Sequence, residues 1–162
     1  MAAIPKARER RTRQFEHYLG LMEHRTVRLV RTCCYLIFSV PAPAEIRRRL
    51  GGAETRFVQF AFSEHQFYLD LPDVTLTPEE AGRAVAERAG FIFALDKPEP
   101  RPGERRYDPV QRTYGYGDPR AAAEDAAYVF FDLWGTPLEA WIKVEASAFD
   151  GRRRWERGFS MG

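Results

Sequence analysis

The chain has 162 residues, a length typical of one ordinary domain. Its composition, with 44% hydrophobic and 30% charged residues, excludes an intrinsically disordered chain and a membrane-spanning one. The net charge of +2 is unevenly distributed, because residues 1–50 carry a net +7, residues 51–150 a net −8 and residues 151–162 a net +3. We therefore expect an acidic folded body with two basic ends.

The N-terminal segment is predicted to form a basic amphipathic helix, because apolar residues recur at three- and four-residue spacing from Phe15 to Leu29. The apolar run over residues 33–40 then predicts a strand and is too short to cross a bilayer. Arginines before this run and the small residues of Ala42-Pro43-Ala44 would also suit a secretory signal. The run is short for such a signal and contains Ser39, so we expect the cytoplasm and keep secretion as the alternative.

A β-hairpin is the clearest prediction in the middle of the chain. After a short helix over residues 44–50, strands are predicted over residues 56–62 and 67–71, joined by a polar turn. Apolar and polar residues alternate in the second strand, so we expect one sheet face in the core and the other toward solvent.

Two helix starts carry the same signal, a capping side chain followed by proline. Thr77-Pro78-Glu79-Glu80 predicts a helix over residues 78–89, and Asp118-Pro119 predicts one over residues 119–134. Between them, the apolar residues 91–95 predict a central strand.

The C-terminal part is predicted to hold a final strand and a tail. Residues 138–146 alternate between apolar and polar, which is typical of a half-exposed strand. The residues from Asp150 onward are rich in arginine and predict a basic tail.

Together the elements predict an α+β fold with two layers, in which helices cover mainly one face of a mixed or mostly antiparallel sheet of about five strands. A doubly wound sheet is the alternative. We expect a basic N-terminal helical extension over residues 1–25, a single α+β domain over residues 26–149 and a basic flexible tail over residues 150–162.

No motif in the sequence indicates a metal, a cofactor or a nucleophile. Cys33 and Cys34 are adjacent, which places their α-carbons too close for an ordinary disulfide, and we expect two inert thiols. His17, His24 and His65 lack neighbours at metal-ligand spacing. No glycine-rich loop opens a helix, so we expect no metal and no cofactor.

Two carboxylates are weak candidates for acid or base catalysis. Asp70 and Asp132 are the acids most deeply embedded in apolar sequence, where burial could raise a carboxyl pKa. The competing interpretation places each acid on the solvent side of an amphipathic element.

The segment over residues 96–118 is the strongest candidate for partner binding. It is longer than most connections without regular structure, and such connections are usually functional or disordered. It concentrates tyrosine and arginine, the residue types that often anchor interfaces. The candidate contact residues are Arg105, Arg106, Tyr107, Arg112, Tyr114 and Tyr116.

The basic ends suggest contact with phosphate groups, because arginine binds phosphate through charge and directional donors. Such a surface could bind nucleic acid or another anionic surface. The acidic body would oppose this contact. The candidate anion-binding residues are Arg10, Arg11, Arg13, Arg47, Arg48, Arg49, Arg152, Arg153 and Arg154.

For function we expect a non-enzymatic protein-interaction module of a bacterial cytoplasm, of a chaperone-like, adaptor or immunity type, with another protein as its partner. Nucleic-acid or anionic-surface binding through the arginine-rich ends is the first alternative. A small acid/base enzyme that uses the embedded carboxylates is the second. The sequence leaves the oligomeric state open.

Overall fold

A computed structural model describes residues 3–29, 34–63, 65–94, 110–148 and 154–159. The described helices are α1 (Ala3–Leu29), α2 (Ala44–Arg49), α3 (Pro78–Glu87) and α4 (Pro119–Ala127), which continues as a π-helix over Tyr128–Leu133. The described strands are β1 (Cys34–Pro41), β2 (Thr55–Phe62), β3 (Gln66–Leu71), β4 (Ile92–Phe93), β5 (Val110–Gly115), β6 (Ile142–Ala148) and β7 (Arg154–Phe159).

All described strands belong to one open sheet in the order β4-β5-β3-β2-β1-β6-β7, and each neighbouring pair is antiparallel. The predicted α+β class is confirmed. The sheet has seven strands where the sequence predicts about five. The two additional strands are β5, which lies in the segment over residues 96–118, and β7, which lies in the predicted tail.

The core lies between the inner face of the sheet and the helices. Phe38, Phe60 and Val144 are completely buried on neighbouring strands and point toward the helical layer. Phe15 of α1 packs edge-on against Phe38, with ring centroids 4.9 Å apart, and stacks on Phe130 of the π-helix at 5.5 Å. Helix α1 is therefore part of this packed body, which corrects the prediction of an extension over residues 1–25.

The hairpin and the capped helices form where the sequence predicts them. Strands β2 and β3 pair directly, with Phe62 opposite Phe67. Helix α3 begins with the complete capping box, in which the Thr77 hydroxyl accepts from the Glu80 amide and the Glu80 carboxylate accepts from the Thr77 amide. Both orphan amides are thus satisfied, which stabilises the start of the helix.

The predicted central strand over residues 91–95 is wrong. Among the described residues 91–94, Ile92 and Phe93 are the ones that pair, at one edge of the sheet, and Ile92 is 60% exposed. Phe91 alone turns into the core, where it is 3% exposed. An apolar run indicates burial but does not specify how many strands flank it, which is why the composition misled the prediction.

The C-terminal predictions also need correction. The strand predicted over residues 138–146 is β6, and it begins at Ile142 instead of residue 138. A turn closed by the hydrogen bond from Ala140 N to Pro137 O (3.0 Å) precedes it. Strand β7 pairs with β6 along Arg154–Phe159, so part of the predicted flexible tail forms the sheet edge. In the described part of the chain, no helix is long and apolar enough to cross a membrane.

Candidate functional site

A cleft of about 330 Å³ lies where the π-helix ends beside the last residues of β1 and the first residues of β2. We call it the tryptophan cleft. Its wall is formed mainly by Arg56, Trp134, Trp141 and the prolines at positions 41, 43 and 137.

Arg56 is the charged residue of the cleft wall, and it is 2% exposed. Its Cζ lies 4.5 Å from the ring centroid of Trp134, a cation–π geometry. Its Nε and Nη2 both donate to the carbonyl oxygen of Thr75 at 3.2 Å, and Nη2 also binds the carboxylate of Glu80. Burial lowers the pKa of Arg56, and the carboxylate of Glu80 opposes this effect. The guanidinium is therefore held from three directions.

The end of the π-helix places Trp134 in the cleft. The amide of Trp134 donates to Val129 O, five residues back, at 3.0 Å, and the Thr136 amide donates to Phe130 O at 2.8 Å. Gly135 has a positive φ of 65°, the conformation that a chain reversal after a helix needs. Short π-helical turns are rare and often occur at functional sites. This one fixes an indole ring that also meets Phe130 edge-on at 5.2 Å.

Trp141 forms the open side of the cleft and is 60% exposed. The peptide beside it is anchored by α1, because Nη2 of Arg11 donates to Ala140 O at 3.0 Å. Arg11 is completely buried, and burial lowers its pKa to about 10. The backbone that presents Trp141 is thus fixed while its ring stays accessible.

The chemistry of the cleft is that of a binding surface. Among the described residues that line it, Arg56 and Thr136 are the ones with polar side chains other than the indole N–H groups, and none carries a carboxylate, imidazole or thiol. No cluster of three metal-ligating side chains occurs anywhere in the described ranges. The cleft can therefore take an apolar side chain against its aromatic walls.

The two carboxylates predicted as weak catalytic candidates are not brought together. Asp132 lies on the π-helix, where it is exposed and accepts from both Nη atoms of Arg8 at 2.6 and 2.8 Å. Asp70 lies on the outer face of β3 and accepts from Nε2 of Gln111 at 3.2 Å. The helical layer and the sheet separate the two acids.

The predicted partner-contact residues divide into three groups. Arg105, Arg106 and Tyr107 lie outside the described residues. Tyr114 is 5% exposed and donates to Asp125, so the prediction that it contacts a partner is corrected: it points into the core from β5. Tyr116 and Arg112 are half-buried: the hydroxyl of Tyr116 donates to the carbonyl of Ser63, and Arg112 pairs with Asp125 at 2.6 Å.

The arginines predicted to bind anions also differ among themselves. Arg11 is buried under the cleft, which corrects its predicted role at the surface. Arg13 and Arg49 pair with Glu9 and Glu79 at 3.2 and 2.8 Å. Arg10, Arg47 and Arg48 are exposed like Arg13 and Arg49, while Arg152 and Arg153 lie outside the described residues and only the backbone of Arg154 is described.

Sequence reasoning missed the cleft because residues 40–43, 56 and 134–141 are far apart in the chain. One signal was present. Trp141 occupies a polar position in the alternating pattern of residues 138–146, which places a large aromatic ring at a predicted solvent-facing position.

Comparisons with known proteins identify no relative: no family model matches the chain, and neither a curated protein nor a solved structure matches it.

Proposed function

We propose that this chain is a protein-interaction module that binds an apolar side chain of a partner polypeptide in the tryptophan cleft. The observation that carries the proposal is the accessible ring of Trp141 in the wall of a cleft whose other indole, that of Trp134, is fixed by Arg56. Tryptophan and arginine are enriched among the residues that contribute most to protein interfaces. A preformed cleft also lowers the ordering cost of binding.

The openness of the cleft favours a polypeptide over a small molecule. Sites for small ligands usually enclose most of the ligand surface. Here Trp141 is 60% exposed, so one side of the cleft faces solvent. A side chain presented by another protein needs only its tip enclosed, while its backbone lies across the rim.

The two alternative functions receive less support from the described residues. Arg8, Arg13 and Arg49 of the basic N-terminal part are paired with carboxylates, which reduces the charge available to phosphate groups. The cleft wall, in turn, offers no carboxylate for acid or base catalysis within the described part of the chain. An apolar contact site of this kind is compatible with a chaperone-like, an adaptor and an immunity-type role.

A displayed random-peptide library tests the proposal with the full chain as the target. We expect the selected peptides to share an apolar or aromatic anchor. Isothermal titration calorimetry should then give a Kd at least about tenfold higher for Trp141→Ala, since loss of an aromatic anchor costs about 2 kcal/mol or more. Ile92→Ala is the matched control, because Ile92 is also 60% exposed but lies at the edge strand β4. Equal loss of binding in both variants, or unchanged binding in Trp141→Ala, would contradict the proposed function.

A further inference from the structure

Asp125 of α4 lies at the centre of a second cluster, which shares no side chain with the wall of the tryptophan cleft. It is completely buried and accepts four hydrogen bonds from three side chains. Nε and Nη2 of Arg88 donate to Oδ1 at 2.9 and 2.6 Å. Nη1 of Arg112 and the hydroxyl of Tyr114 donate to Oδ2 at 2.6 and 2.7 Å.

The cluster carries more positive than negative charge. Two guanidinium groups share the single carboxylate of Asp125. Glu87, the acid beside Arg88 in sequence, is bound to Arg83 at 2.8 Å and to the hydroxyl of Tyr128 at 2.7 Å, so its carboxylate has partners of its own. One positive charge of the Arg88–Arg112 pair therefore has no counter-ion among the described residues.

Aromatic rings and a glycine backbone hold both guanidinium groups in place. Arg88 lies over the ring of Tyr128, with Cζ 5.3 Å from the centroid, and Arg112 lies over the ring of Tyr114 at 5.0 Å. Gly90 flanks Arg112, since a Cβ at this position would lie 2.7 Å from Nε of Arg112. Its positive φ of 89° independently favours glycine. The arginine pair is thus fixed before any ligand arrives.

Both side chains reach the surface, because those of Arg88 and Arg112 are 31% and 26% exposed. An arginine has five N–H donors, about half or more of which remain unused at each residue after the bonds to Asp125. Paired guanidinium forks suit a planar or tetrahedral oxyanion, which accepts two parallel hydrogen bonds from each fork.

We infer that Arg88 and Arg112 form a binding site for an oxyanion, the carboxylate or phosphate group of a ligand. Asp125 is the positioning residue that holds the pair together, and the bound oxyanion supplies the missing counter-charge. This inference does not depend on the proposed function of the tryptophan cleft, because the two sites share no side chain.

Thermal unfolding of the full chain tests the inference with inorganic phosphate, acetate or chloride at constant ionic strength. A ligand of the native state raises Tm in a saturable way. Phosphate also stabilises proteins generally, so the variants Arg112→Gln and Arg120→Gln separate the two effects. Arg112→Gln leaves Asp125 paired with Arg88, whereas Arg120 is the matched control because it binds three carboxylates, those of Glu9, Glu16 and Glu124.

We expect the saturable rise in Tm to persist in Arg120→Gln and the apparent affinity to fall about tenfold or more in Arg112→Gln, since one charge-assisted contact is lost. The anion with the larger effect identifies the ligand group as phosphate or carboxylate. No saturable effect, or the same effect in all three proteins, would overturn the inference. If Arg112→Gln fails to fold, an NMR titration of the unmodified chain with the anion tests the inference instead. The Nε–H signals of Arg88 and Arg112 must then shift with the anion, while that of Arg120 must not.

Discussion

The guanidinium of Arg56 lies 4.5 Å from the ring centroid of Trp134 and binds the carboxylate of Glu80. These contacts join three elements, because Arg56 is the second residue of β2, Trp134 follows the π-helix and Glu80 belongs to the first turn of α3. The same arginine therefore stabilises the fold and forms part of the wall of the tryptophan cleft.

We expect Arg56→Ala to lower the free energy of unfolding by about 3 kcal/mol, because it leaves a largely buried carboxylate without its cation. Urea unfolding followed by circular dichroism measures this change. The control is Arg49→Ala, whose exposed pair with Glu79 should contribute less than about 1 kcal/mol. Similar losses in the two variants would show that the Arg56 contact does not stabilise the junction.

Gly135 offers a test of how the backbone positions Trp134. We expect Gly135→Ala to lower the free energy of unfolding by about 1–2 kcal/mol, since its φ of 65° is unfavourable for a residue with a Cβ, although the added atom meets nothing within 4 Å. Gly20→Ala is the opposite case. Gly20 lies inside α1 with open space around it, so alanine there should raise the stability by about 0.5–1 kcal/mol. Thermal unfolding measures the stability of both variants. A Gly135→Ala variant as stable as the unmodified chain would contradict this view of the helix end.

Tyr114 makes stability depend on alkaline pH. Its pKa is raised above 10.0, first by burial and then by the negative charge of Asp125, while the cations of Arg112 and Arg88 act in the other direction. The folded chain therefore keeps the phenolic proton that the unfolded chain loses above pH 10.0. The stability from this tyrosine is complete below that pH and decreases above it, by about 1.4 kcal/mol per pH unit.

Urea unfolding at several pH values between about 9 and 11 measures this dependence. Above the tyrosine pKa, the free energy of unfolding of Tyr114→Phe should decrease less steeply with pH than that of the unmodified chain. The difference in slope should correspond to one proton. The pKa of Tyr128 is also raised by burial and by its hydrogen bond to Glu87. The unfolding free energy of Tyr114→Phe should therefore still decrease with pH, but less steeply. Identical slopes with and without the Tyr114 hydroxyl would disprove the assignment.

Local signals in the sequence were sufficient for most elements. The Thr77–Glu80 capping box and the Asp118 cap each mark a helix start by chemistry contained in four residues, and both form as predicted. The hairpin is similar, because a short turn fixes which strands pair. The position of a strand within the sheet could not be predicted in this way. Whether residues 91–95 lie at the centre or at the edge of the sheet depends on strands elsewhere in the chain.

The candidate sites were less accessible to sequence reasoning for the same reason. Asp125 sits among alanines and near Glu124, and nothing in that stretch shows that one acid is buried while the other is exposed. Its partners Arg88 and Arg112 come from two other elements. Tyr114 was predicted to contact a partner, but it points into the core, because the alternation of β5 turns it inward.

The most direct measurement of the central claim is an amide and indole NMR titration of the full chain with a library-selected peptide. We expect the indole N–H signals of Trp134 and Trp141 to shift saturably, together with the amides of residues 135, 136 and 138–140, while the amides of Ile92 and Phe93 stay unchanged. Shifts confined to β4 or to the basic residues of α1, with both indole signals unmoved, would show that the partner binds elsewhere and that the tryptophan cleft is not the interaction site.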